Sequence, residues 1–187
     1  MIVTTSMTEL RGAIGAVCLG TFDGVHLGHQ AIMAEVVKIS KASGKRSAVF
    51  TFHPHPGTLT GRGAVSVITT RSQRARLMAA CGIDVIVEHP FTAAFAGLSP
   101  QQFVESILLD GFGTVPFVAG FNYNFGHKAS GTIETLAELG KQYGFEVLRV
   151  EPVSVGGDVV SSTRVRKLVQ DGALTAVEAC LGRRFSL

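Results

Sequence analysis

The chain has 187 residues, of which 46% are apolar, and its mean hydropathy is positive; that suits one domain with a sizeable core and excludes a disordered chain. The formal net charge is only +3 and no run of like charge accompanies it. With no Trp and two Tyr, neither the basic stripe nor the stacking platform of a nucleic-acid binder is present, and no nucleic-acid partner is expected.

Short apolar, β-rich runs alternate with longer amphipathic segments. A first strand is predicted from Ala13 to Leu19, followed by a helix from Gly28 to about Ser43 with Ile32, Val36 and Ile39 on one face. Arg46–Phe52 reads as a second strand, Arg71–Ala80 as a helix and Asp84–Glu88 as a third strand. Ser99 before Pro100 announces a helix to Leu109. A strand at Val115–Ala119, a helix at Gly131–Tyr143 stopped by Gly144, and a strand at Phe145–Val150 follow. Two short helices, from about Ser162 and from about Leu174, close the chain. This alternation predicts an α/β fold, a doubly wound and mostly parallel sheet. Such sheets place their ligands beyond the carboxyl ends of the strands, where strand order switches. The loops Gly20–His29, His53–Leu59 and Gly120–Gly131 and the segment around Ser161 are therefore the candidate site.

Cys18, Cys81 and Cys180 are odd in number and form no CxxC, which reads as small buried residues in a reducing compartment. The N-terminus has no charged segment leading into an apolar run, and no stretch approaches a membrane span. The expected location is the cytoplasm, with no membrane partner.

Gly20-Thr21-Phe22-Asp23-Gly24 follows the first strand and leads into a helix at about Gly28. Its glycines let backbone amides approach a ligand, and the helix start adds unpaired N–H groups and a positive dipole end. His26 and His29 share one side of that start. Together they make an anion site able to stabilise charge on a pentacovalent phosphorus. The loop is neither GxxxxGK[ST] nor GxGxxG. A competing reading gathers His26, His29, His53 and His55 around zinc or another divalent metal. Pro54 and Pro56 oppose it by holding the second loop extended, and no carboxylate or cysteine clusters with the histidines.

Gly20-Thr21-Phe22-Asp23-Gly24-Val25-His26-Leu27-Gly28-His29 resembles the HxGH signature of nucleotidylyltransferases, and its Phe-Asp-Gly-Val-His core is similar to the FMN adenylyltransferase module of bacterial FAD synthetases. Three further segments agree in order. Phe52-His53-Pro54-His55-Pro56 resembles the family's F-x-PHP loop. Gly120-Phe121-Asn122-Tyr123-Asn124-Phe125-Gly126, with Gly131, resembles its glycine-rich flap. Val160-Ser161-Ser162-Thr163-Arg164-Val165-Arg166 resembles its ISSTxIR motif.

The resemblance implies a Rossmann-like nucleotidylyltransferase fold in a single domain over residues 1–187 and the reaction ATP + FMN → FAD + pyrophosphate, with Mg²⁺ accompanying ATP. By position it implies His26, His29 and Asn122 as catalytic residues. It places Gly20, Thr21, Phe22, Gly28, Ser162, Thr163 and Arg166 at ATP, and Phe52, His55 and Phe125 on the flavin side. No resident metal is implied. Ser161-Ser162-Thr163 caps a helix whose start faces phosphate, and the basic flap around Lys128 is expected to close over it. Val159 stands where family members often have a basic residue, and neither Arg149 nor Lys167 is an assumed replacement. Many members continue into a riboflavin kinase domain after the position of Leu181–Leu187, so kinase activity is not implied. Two alternatives stay open: a related nucleotidylyltransferase with another phosphate acceptor (pantetheine, sugar or polyol phosphate), and an inactive flavin- or ATP-binding protein.

Overall fold

The computed structural model describes residues 1–58 and 66–186; Leu59 and Leu187, named above, lie outside them. In chain order the strands are β1 (Ile2–Thr4), β2 (Ile14–Leu19), β3 (Arg46–Phe52), β4 (Val85–His89), β5 (Phe117–Gly120), β6 (Asn124–Phe125), β7 (Gly131–Thr132), β8 (Val147–Val150), β9 (Ser154–Val155) and β10 (Asp158–Val159). The α-helices are α1 (Leu27–Ala42), α2 (Arg71–Ala80), α3 (Ala93–Ala96), α4 (Pro100–Phe103), α5 (Asp110–Phe112), α6 (Ile133–Tyr143), α7 (Ser162–Gln170) and α8 (Leu174–Leu181). None of the described helices is long and apolar enough to cross a membrane.

Six strands form one wholly parallel sheet in the order β1-β4-β3-β2-β5-β8. The sequence accounts for its burial on two faces. All six β2 residues are buried, and their side chains alternate. Val17 and Leu19 join Phe50, Phe103, Phe112 and Phe117 on one face, while Ala16 and Cys18 join Met33, Val36 and Met78 of α1 and α2 on the other. A third cluster of Ile68, Val160, Val165, Val177, Cys180 and Leu181 packs α7 and α8 together. The chain leaves β2 toward β3 and β4, then crosses back to β5 on the opposite side. The switch in strand order therefore lies between β2 and β5.

Local signals set most helix starts. Thr70 and Ser99 each form a capping box, with Gln73 and Gln102, and Pro100 occupies the first position of α4. The predicted Pro100–Leu109 helix runs on to Phe112, through a π-helical stretch at Val104–Leu109. The flap differs from its sequence reading. Gly131 belongs to β7, which pairs antiparallel with β6, and α6 starts at Ile133 because the Thr132 side chain caps it. A Cβ on Gly131 would lie 2.9 Å from the Phe125 ring, so this ribbon needs glycine there. The edge strand β1, the ribbon β9–β10 and the helix α3 are too short to leave a periodic signal. Cys18 and Cys180 are buried as expected, whereas Cys81 is only half-buried; all three are free.

Candidate active site

A cavity of about 940 Å³ opens at the carboxyl ends of the strands, beside the β2/β5 switch. The loop after β2 contributes Gly20, Thr21, Phe22, His26, Gly28 and His29 to its wall. The end of β3 and the loop after it contribute Phe52 and His55, and the loop and ribbon after β5 contribute Asn122 and Phe125. Ser162, Thr163 and Arg166 reach it from the start of α7. Residues scattered from position 20 to position 166 thus border one volume. His53 is exposed, and its bond to Pro54 is cis. A 3₁₀ turn at Pro56–Thr58 replaces the expected extended loop, where the His55 Nδ1 accepts the Gly57 N–H at 3.1 Å.

His26 is the N-cap of α1: its Nδ1 accepts the His29 backbone N–H at 3.3 Å. The two rings stack, with centroids 3.6 Å apart and planes 18° from parallel, and the Phe22 ring meets His29 edge-on at 5.1 Å. Burial pushes the His26 imidazole down to about 4, against the opposing pull of the Asp23 carboxylate. Desolvation, and next the neighbouring His26, hold His29 well below its ordinary value. Both rings are therefore neutral at pH 7. Because Nδ1 of His26 accepts, its proton sits on Nε2, which is left as a donor. Nδ1 of His29 is buried without a hydrogen-bond partner in the protein.

The loop that presents these rings is strained. Phe22 and Val25 hold φ values of +53° and +41°, and a β-branched residue is rarely found there. Gly24, at φ +83°, has the Ile68 side chain 2.9 Å from where a Cβ would stand. The surroundings hold this backbone in place. Five successive carbonyls, Thr21 to Val25, each accept a hydrogen bond: Thr21 from Thr51 and Arg74, Phe22 from the Val25 N–H, Asp23 from Ser162, Gly24 from Arg183, and Val25 from Gln30 and Arg183. With these carbonyl oxygens occupied by donors, an incoming anion meets amides and imidazoles.

Asp23 anchors the same loop. Its buried carboxylate accepts the Ile68 N–H at 3.0 Å, the Thr69 N–H at 3.1 Å and the Thr69 hydroxyl at 3.2 Å, and pairs with Arg166 at 2.7 Å. Arg166 also donates Nε to the Ser66 carbonyl. The Ser162 hydroxyl donates inward to the Asp23 carbonyl at 2.9 Å, while Ser161 caps α7. Among these α7 groups, the dipole end and the exposed Thr163 face the cavity. Sequence reasoning missed Asp23, whose role depends on a segment more than forty positions away, and Arg183, which follows the last predicted helix.

The remaining wall is aromatic. Phe52, Phe91 and Phe95 contact one another with ring centroids 5.3–5.4 Å apart, and Phe103 and Phe125 are 5.3 Å apart. Phe91, Phe95 and Phe103 all border the cavity and were not singled out in the sequence, although two of them follow a strand end. Among the described residues no group of three or more His, Cys, Asp or Glu is placed to hold a metal ion, which removes the geometric basis of the four-histidine zinc reading. Glu151 is the one carboxylate residue among the described cavity-lining residues, and Arg149 pairs with it at 3.1 Å. Asp23 has its oxygens engaged as above, whereas the Glu151 side chain is 71% exposed and meets Arg149 through one oxygen.

The depressed histidines make stability depend on pH. An unfolded chain titrates them near 6.5, so between about 4 and 6.5 the unfolded state binds the extra protons and stability rises with pH. We expect Tm to climb from pH 4.5 to 6.5, with a shallower climb in the His26→Gln/His29→Gln double variant. Parallel curves for the two proteins would remove the assignment.

A family model described as FAD synthetase matches residues 10–164. The bifunctional riboflavin kinase/FMN adenylyltransferase of Listeria monocytogenes is 36% identical over 187 residues, covering 99% of this chain and 58% of that protein. A Streptococcus pneumoniae structure described as a macrolide-efflux protein superposes with a TM-score of 0.84 at 27% identity, over 98% of this chain and 60% of that one. Pantothenate synthetase from Thermus thermophilus shares the fold, with a TM-score of 0.57 at 17% identity over 96% of this chain and 80% of that one. The chain thus spans well under two thirds of the Listeria protein's length.

Proposed function

The chain belongs to the FAD synthetase family, and we propose that it transfers AMP from ATP to FMN, giving FAD and pyrophosphate. A phosphate oxygen of FMN attacks the α-phosphorus of ATP; the bond from that phosphorus to the oxygen bridging to the β-phosphate breaks, and pyrophosphate departs with the electron pair. The FMN phosphate is already an anion at pH 7, so no general base is required. The protein's contribution is alignment and charge stabilisation.

The observation that carries this reading is the neutral His26–His29 stack at the start of α1, in the same cavity as the Phe52–Phe91–Phe95 wall. Nε2–H of His26 and a ring N–H of His29 donate to oxygens of the α-phosphate as negative charge grows there. The dipole ends of α1 and α7 hold the phosphate chain between them. Asn122 and Lys128, both exposed on the flap side, meet the phosphates when substrate binds. The aromatic wall, with His55 and Phe125, takes the flavin ring. Mg²⁺ would accompany ATP as part of the substrate and would neutralise phosphate charge there beside His26, His29 and the starts of α1 and α7. Three unpaired cysteines suit a reducing compartment, and the proposed location is the cytoplasm.

Purified protein mixed with FMN, ATP and Mg²⁺ is expected to accumulate FAD, resolved from FMN by chromatography. No FAD above the protein-free background would sink the reading. Tight FMN binding without FAD would replace it with a flavin-binding role.

A further inference from the structure

Arg74 is buried on α2, one turn before the core residue Met78, and it does not border the cavity. Its Nη1 donates to the Thr21 carbonyl at 3.1 Å, in the loop after β2. Its Nη2 donates to the Phe52 carbonyl at 3.1 Å, at the end of β3, and to Glu88 Oε1 at 2.9 Å, near the end of β4. The other Glu88 oxygen accepts from Arg71 at 2.6 Å, and Glu88 is itself 2% exposed. One rigid guanidinium therefore fastens the carboxyl ends of three adjacent strands. Two of the points it holds lead directly into cavity walls, one into the histidine loop and the other into the His55 turn.

We propose that Arg74 is a positioning residue that fixes the histidine loop and the His55 turn relative to each other, and so sets the distance between the triphosphate and the flavin phosphate. The consequence for transfer rests on the reaction proposed above. The fork matters more than the charge. A planar guanidinium reaches two carbonyls and a carboxylate at once, whereas a lysine ammonium is a point donor on a flexible stem and cannot span them. A loop offset of about 1 Å at a reacting centre lowers rates by roughly a hundredfold. The loss falls on kcat, because each substrate still has its own subsite.

Arg74→Lys and the double variant Arg74→Met/Glu88→Met test this. Replacing a buried ion pair by apolar residues is often neutral for stability, so the double variant is expected to keep its Tm. It should nevertheless lose kcat for FAD formation by about a hundredfold, with each KM within about threefold of the unsubstituted value. Amide hydrogen exchange at residues 20–26 and 52–57 should quicken together, by about tenfold or more, while β2 and α6 are unchanged. Arg74→Lys keeps the pairing charge and should show the same kinetic and exchange changes, which covers the case in which the double variant does not fold. Unchanged exchange in both segments overturns the proposal, and so does faster exchange with kcat intact. If the unsubstituted chain forms no FAD, the transfer reading falls, and the exchange result alone decides whether Arg74 fixes the two loops.

Discussion

In the proposed transfer of AMP to FMN, His29→Ala is expected to lower turnover by about a hundredfold or more, the size of effect seen when one donor to a developing phosphate or oxyanion charge is removed. The ring is held between His26 at 3.6 Å and Phe22 at 5.1 Å, so it is already aimed before substrate arrives. Truncation leaves the His29 backbone N–H in place to cap onto His26, and α1 should start as before. The KM for ATP therefore moves little while kcat collapses, the pattern of an interaction made chiefly in the transition state. His26→Ala is expected to do more. It removes a second donor and also the N-cap of α1, at a further cost of about 1 kcal/mol in stability. Steady-state kinetics with circular dichroism separate the two effects. Unchanged turnover in His29→Ala would refute the role assigned to it.

Asp23→Ala has the other large effect, and it falls on both stability and rate. The carboxylate is buried, accepts two backbone amides and the Thr69 hydroxyl, and pairs with Arg166. Its removal leaves those donors and a half-buried guanidinium without their acceptor. Breaking such a buried pair costs about 3 kcal/mol or more, which for a chain of this size lowers Tm by roughly 6–12 °C. The strained backbone at Phe22, Gly24 and Val25 then loses its tie to residues 68–69. Turnover is expected to fall well beyond what lower stability explains at a temperature where the variant remains folded. Asp23→Asn, which keeps the shape and loses the charge, should lie between the two. A variant with wild-type Tm and rate would show that the loop holds itself.

The elements legible in the sequence were those whose signals are local. The unbroken apolar run of β2, the Ser99–Pro100 helix start and the Gly144 stop after α6 each act within a few residues, and the structure places them close to where the sequence puts them. The four motif segments converge on one cavity because parallel strands deliver their following loops to the same edge. What stayed hidden depends on distant partners. Arg74 looks like one basic residue among several on a polar helix, and only its contacts with Thr21, Phe52 and Glu88 reveal a buried clamp. Asp23 stands inside a recognised motif, yet its function lies in holding Ile68, Thr69 and Arg166 rather than in facing substrate. Gly131 fits a helix start by composition, but its close approach to Phe125 makes it part of a two-stranded ribbon. The half-buried state of Cys81 likewise follows from packing that its immediate neighbours do not announce.

The most direct test of the central claim follows the phosphorus atoms. With ATP labelled at the α-phosphate, FMN and Mg²⁺, the account predicts label in FAD in a one-to-one ratio to flavin converted, and with ATP labelled at the γ-phosphate, label in pyrophosphate and none in the flavin. Label from the α-position appearing only as AMP or ADP, or γ-label passing to a flavin or to free phosphate, would contradict adenylyl transfer to FMN.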